Sequence, residues 1–222
     1  MEKTDKIDAS VMAAFAAARG LHPMPPPDEK QRRLKALATR LRQVTQDISM
    51  NKQRRSQCFD AESRTSIDAV VALLKRQAKT LEGEIASLIS DDPLWSKLDE
   101  AFRSIKGISG RTIARLLAML PEIGLYDNKA ITKIAGLAPF ANDSGLTSKA
   151  RHIKGGRADV RSAMFIVGHC VRRFNPTLAA FSEKLLKAGK PKMVVRIAIA
   201  RKLLVWLNAK ARDARKEFAN AT

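Results

Sequence analysis

Ser144 is followed by Gly145 in a polar stretch, and a run of cations comes directly after: Lys149, Arg151, Lys154, Arg157 and Arg161. These are the residue types that phosphoryl transfer to a hydroxyl requires. A glycine lets a phosphate approach the serine, and guanidinium and ammonium groups neutralise charge gathering on the phosphate oxygens. A serine hydroxyl is a weak nucleophile unless its proton is removed or its target polarised, and a lone Ser-Gly pair reads more simply as a turn. A second feature is the pair Asp5 and Asp8. Three residues apart on a helix, both carboxylates lie on one side, where they could share a divalent cation. The same spacing suits residues that cap a helix and favour its positive end, which from the residues alone is the simpler reading. His22, His152 and His169 are scattered without metal-ligand spacing.

Backbone-gripping chemistry is suggested by Ile105-Lys106-Gly107-Ile108-Ser109-Gly110-Arg111-Thr112-Ile113-Ala114, followed by Leu116, Leu117 and Leu120. This resembles a helix-hairpin-helix motif, in which Gly107, Ser109, Gly110 and Arg111 form or follow the turn. The next helix then offers free backbone N–H groups to a phosphate. Ser109 stands where a second hairpin glycine is usual, and a plain glycine-bearing turn between packed helices is the alternative. Arg172, Arg173 and Lys190 are further candidate phosphate contacts.

The elements that must position these groups read as helices. A short Ala-rich helix over Asp8 to Arg19 is expected to end at Gly20, before the helix-blocking His22-Pro23-Met24-Pro25-Pro26-Pro27. Asp28 caps a long helix to about Cys58, with Leu34, Leu37, Leu41, Val44 and Ile48 on one stripe. A second, from about Arg64 to Ser90, carries Ile67, Val71, Leu74, Ala78, Leu81, Ile85 and Leu88. The pair predicts an antiparallel helical hairpin or coiled coil; closure within one chain and dimerisation are both open. Further helices are expected over 128–137, with its end at Gly136, and over 160–173, 177–187 and 193–218. Pro139 to Gly156 reads as a polar loop, and no strand alternation is evident.

The chain has 222 residues, 45% hydrophobic but only 5% aromatic, and is rich in helix formers. An all-α fold, or mainly so, follows. The formal net charge of +19 is unevenly spread: residues 1–100 carry +2 and residues 101–222 carry +17. That asymmetry points to a polyanion held by the second half, with nucleic acid as the default. An acidic membrane surface would call for an amphipathic helix with interfacial aromatics, or a lipidation motif, and neither is evident. Cys58 and Cys170 are too far apart in sequence to suggest a disulfide framework or a Cys-based zinc site. No apolar stretch approaches the ~18 residues a spanning helix needs. A soluble cytoplasmic protein is the expectation.

Several segments, taken in order, resemble the C-terminal domain of insertion sequence 110-type transposases (the 116/110/902 group). They are Ala135-Gly136-Leu137-Ala138-Pro139, Asp143-Ser144-Gly145, Ile153-Lys154-Gly155-Gly156, Val160-Arg161, Arg173-Phe174-Asn175-Pro176 and Ala200-Arg201-Lys202-Leu203-Leu204. Upstream, Lys3-Thr4-Asp5-Lys6-Ile7-Asp8-Ala9 resembles the closing motif of the family's ribonuclease-H-like (RuvC-type) domain. The resemblance implies three regions: 1–27 as a remnant of that domain with a Pro-rich linker, 28–92 as the coiled coil, and 93–222 as the helix-hairpin-helix transposase domain. It implies that Ser144 attacks the DNA backbone to form a phosphoserine link. Asp5 and Asp8 would be the last two of four carboxylates binding Mg2+. The implied partners are DNA, an element-encoded bridge RNA whose pairing chooses the sequence, and further copies of the chain joined through the coiled coil, in the nucleoid of a bacterial cytoplasm. The family's first two carboxylates have no counterpart in this sequence, so an N-terminally truncated chain, inactive alone, is expected. A non-enzymatic nucleic-acid-binding dimerisation module is the alternative.

Overall fold

A computed structural model describes residues 5–20, 26–140, 143–144, 147–148 and 152–221. The chain is mainly helical, as composition and periodicity predicted. In order come α1 (Asp5–Ala18), α2 (Glu29–Gln57), α3 (Ala61–Ser90), α4 (Pro93–Arg103), α5 (Gly110–Met119) and α6 (Asn128–Ile134). Four two-residue strands follow: β1 (Pro139–Phe140), β2 (Asp143–Ser144), β3 (Thr147–Ser148) and β4 (His152–Ile153). The chain closes with α7 (Ala158–Val171), α8 (Pro176–Lys187) and α9 (Lys192–Ala221).

Capping sets most of the boundaries. Asp28 accepts from Gln31 N at 2.7 Å and starts α2. Asp60 accepts from Ser63 N at 2.7 Å and starts α3 at Ala61, three residues before the expected Arg64. Asp92 accepts from Leu94 N and Trp95 N, with Pro93 opening α4. The periodicity reading had no helix there, although α4 buries Trp95, Leu98 and Phe102.

α2 and α3 pack along one another, joined only by Cys58, Phe59 and Asp60, so they run antiparallel. Leu34, Ala38, Leu41 and Val44 on α2 are buried, as are Val71, Ala78, Ile85 and Ile89 on α3. The root of this hairpin belongs to the main core. Leu34 and Ile89 share one hydrophobic cluster with Leu116 of α5 and Leu204 of α9. Gln31 ties α2 to α5 by donating to the carbonyls of Leu117 and Ala118, at 3.0 and 3.1 Å.

α9 is the central rod. It packs on α4, α6, α7 and α8 and buries Val195, Ile199, Ala200, Leu203, Leu204, Leu207 and Ala211. Its one fully buried polar side chain, Asn208, is satisfied at both ends: Oδ1 accepts from Gly124 N at 2.8 Å, and Nδ2 donates to Tyr126 O and Asn128 Oδ1. By contrast α1 buries none of its residues; Ile7, Val11 and Phe15, spaced by four, are all more than half exposed. Among the described residues, no helix is long and apolar enough to cross a membrane.

Candidate functional site

The stretch read as a polar loop, Pro139 to Gly156, contains a two-tier antiparallel ladder. In the tier at the root Pro139 faces Ile153 and Phe140 faces His152; in the second tier Asp143 faces Ser148 and Ser144 faces Thr147. Ser144 therefore belongs to the second tier, beyond the root, of an arm that leaves the helical body at the end of α6 and returns to it at the start of α7. Lys149 and Arg151 lie outside the described residues. Lys154 is exposed just after the returning strand.

The root of the arm is cinched. After α6 the chain turns at Gly136, whose φ is +68°. Leu137 N and Ala138 N both donate to Thr132 O, at 2.9 and 3.1 Å. On the return, Arg157 N donates to Ile134 O at 2.8 Å, and an Arg161 guanidinium nitrogen donates to Gly155 O at 2.6 Å. Gly156, φ +67°, lies directly against Gly136: a Cβ on Gly156 would land on the Gly136 backbone nitrogen, and one on Gly136 would strike Gly155 O and Arg161. Only two glycines allow the outgoing and returning chains to come this close.

Beneath the cinch lies an ion pair. Arg157 donates to Glu122 through both terminal nitrogens, at 2.6 and 2.5 Å, and also to Met119 O at 2.8 Å. The Glu122 side chain is 4% exposed. Burial alone would push this carboxyl up, but the Arg157 hydrogen bonds outweigh it and hold the group below the ordinary range, while Arg157 is raised in turn. Arg157, expected to contact phosphate, thus has its guanidinium committed to the fold.

The other expected phosphate contacts are partitioned in the same way. Gly107 makes the turn between α4 and α5 with φ +99°. Ser109 needs no glycine-like backbone: at φ −92°, ψ 157° it caps α5, its side chain accepting from Thr112 N. Gly110 opens α5 beside the Arg103 guanidinium, which pairs with Asp99. Arg111 pairs with Glu82 of α3. Arg172 donates to the buried Ser182 hydroxyl at 3.0 Å. Among the described residues, Arg173 and Lys190 are exposed and make no ion pair, and neither does Lys106 in the turn itself.

Sequence reasoning gave Arg201 and Lys202 of α9 only as part of a resemblance and assigned them no contact, although both line a groove of about 660 Å³ beside the arm, together with Pro139, His152 and Ile153. Lys202 sits over the Phe181 ring at 4.1 Å. Nor did it find Glu122, whose partner lies 35 positions away. Only a fold could bring that pair together.

Residues 99–183 match the model of the Transposase IS116/IS110/IS902 family, a segment that holds the Gly107 turn, the whole arm and Arg172-Arg173. Residues 1–62 match a second transposase model, of the DEDD IS110 type. Both segments are similar to transposases. Two curated relatives, the pilin gene-inverting proteins of Moraxella lacunata and Moraxella bovis, are each 26% identical over 207 residues. That alignment covers 91% of this chain and 64% of each relative, so the chain spans under two thirds of their length.

DEDD transposases typically use a divalent metal. Asp5 and Asp8 lie in the first turn of α1, an exposed helix. Among the described residues, no third His, Cys, Asp or Glu gathers with them into a group able to hold an ion. Two exposed carboxylates do not complete a metal site, and no step is assigned to one.

Proposed function

We propose that this chain is part of a DNA recombinase of the transposase class that cuts and rejoins DNA through Ser144. The Ser144 Oγ attacks a phosphodiester phosphorus. A P–O bond to the sugar breaks, the leaving sugar oxygen takes up the proton lost by the serine, and the phosphate stays on the protein as a phosphoserine diester. The reverse attack by a second sugar hydroxyl rejoins the strand and frees the serine, so bond energy is conserved without a co-reactant.

The observation that carries the reading is the arm itself. Ser144 pairs within a two-tier ladder whose root is cinched by interlocked glycines and by a carboxylate–guanidinium pair, in a C-terminal region that is strongly basic. A nucleophile must be presented at a defined place, and the cinch is a device for that. Arg161, Lys154 and Arg201 are the cations we assign to the phosphate oxygens. The turn at Gly107 is assigned a helix-hairpin-helix role on the DNA backbone. The α2–α3 hairpin is assigned to self-association, and Asp5 and Asp8 to a shared Mg2+ site that needs carboxylates from elsewhere. A bridge RNA supplying sequence choice by base pairing belongs to the same reading, and so does DNA inversion, by analogy with the relatives' names.

The decisive experiment uses the protein that carries this chain, incubated with its DNA and resolved under denaturing conditions. Wild type is expected to give a covalent protein–DNA adduct; Ser144→Ala is expected to give none while still binding nucleic acid. Normal adducts with the alanine variant would remove Ser144 as the nucleophile. A second reading, a binding module without chemistry, is favoured by the lack of a third ligand beside Asp5 and Asp8 among the described residues. It predicts salt-sensitive binding and no adduct with any variant, with or without Mg2+.

A further inference from the structure

Phe174 is 56% exposed in a chain with few aromatics, and its place is fixed on both sides. Arg173 N donates to Cys170 O and Phe174 N to Val171 O, each at 3.0 Å, which closes a tight turn after α7. Asn175 then caps α8 by accepting from Leu178 N at 3.1 Å, with Pro176 in the first helical position. One edge of the ring lies on the Gly107 turn, where an added Cβ would come within 3.1 Å of Phe174 Cδ2. The remaining surface of the ring faces solvent.

The surroundings of the ring are cationic and free. Lys106 and Arg173 are exposed, without ion-pair partners among the described residues. Two acids on α3 and α4 are engaged by other cations, Glu82 by Arg111 and Asp99 by Arg103. A rigid, half-exposed aromatic ring beside unpaired cations and a glycine turn is an arrangement that serves a nucleic-acid strand with an unstacked base. The cations take the phosphates, and the ring takes the face of the base or wedges into the step.

We propose that Phe174 is a stacking contact for an unstacked DNA base, with Lys106 and Arg173 holding the flanking phosphates. The proposal rests on the nucleic-acid-binding reading above and adds a ligand subsite to it: DNA that is locally single-stranded or distorted is preferred over intact duplex.

The test uses single-stranded and bulged-duplex DNA carrying one 2-aminopurine, a fully paired duplex, and a single-stranded RNA of the same sequence. Wild type is expected to change the 2-aminopurine emission and to bind the unpaired DNA more tightly than the duplex. Phe174→Ala is expected to abolish the emission change and to weaken binding to unpaired DNA by about tenfold or more, leaving duplex affinity and the salt slope unchanged. Phe174→Leu keeps an apolar contact on the Gly107 turn and should lose stacking without losing the fold, checked by thermal melting; Phe174→Trp should retain binding, with its own emission quenched by DNA. Equal affinity of wild type and Phe174→Ala for unpaired DNA would overturn the proposal. So would an equal loss on duplex and unpaired DNA, or an emission response with RNA alone. Failure of wild type to bind any DNA at low salt would instead bring down the reading on which it rests.

Discussion

At the scale of single residues, Glu122 and Arg157 show how a cation in a basic run can be structural. Arg157 stands among Lys154 and Arg161 in sequence and by type alone resembles them. Its two bonds to a carboxylate that is 4% exposed set it apart. Removing one partner strands the other, so Glu122→Gln is expected to cost about 1–3 kcal/mol, discounted from a fully buried pair because Arg157 is 40% exposed. Denaturant melts would measure it. Arg157→Lys is expected to be nearly as damaging, since an ammonium cannot form the two-point bond. The pH dependence has a definite sign. The folded-state pKa of Glu122 lies below its ordinary value of 4.5, so its contribution is complete above that value and is lost as pH falls through the folded pKa. Acid titration of stability should therefore be shallower in Glu122→Gln than in wild type below about pH 4.5. Identical acid limbs would show that the pair does not hold the arm's root.

Among elements, the arm depends on close backbone approach. Gly156→Ala places a methyl group on the Gly136 nitrogen at a positive φ, so it is expected to destabilise by about 2–4 kcal/mol. If the cinch presents Ser144, adduct formation should fall further than stability explains, while duplex binding through the Gly107 turn persists; a parallel loss of both would assign the glycines to folding alone. The helices were largely legible in the sequence because stripes at three- and four-residue spacing and aspartate caps are local signals. α4 was not, since Pro93 reads as a breaker when its role as the first helical residue after the Asp92 cap is overlooked. The arm was not legible either: two-residue strands are too short to show alternation. For the site, Ser144 and the cations were visible by type. Which cations are free could not be seen, because Glu82 and Glu122 reach their partners only in the folded chain, and Asp99 pairs with Arg103 one turn along a helix that the periodicity did not show.

On the scale of the molecule, charge is sorted twice, first along the chain and then by pairing. The hairpin half is nearly neutral and supplies Glu82 to Arg111, whereas the C-terminal region keeps Lys106, Arg173, Lys190 and Arg201 without ion-pair partners among the described residues. Free cations on a rigid body release counterions from a nucleic acid when they bind, and each neutralised phosphate adds about −0.9 to the slope of log affinity against log salt on duplex DNA. If six or more phosphates are engaged, affinity should fall about a thousandfold or more between about 50 and 200 mM salt. Lys106→Ala and Arg173→Ala should each flatten that slope by about one, while Arg157→Lys, whose charge is retained and already paired, should leave it unchanged. Fluorescence-anisotropy titrations at four or five salt concentrations separate these variants. A slope insensitive to Lys106 and Arg173 would move the DNA path off the Gly107 turn, toward the groove beside the arm where Arg201 and Lys202 stand.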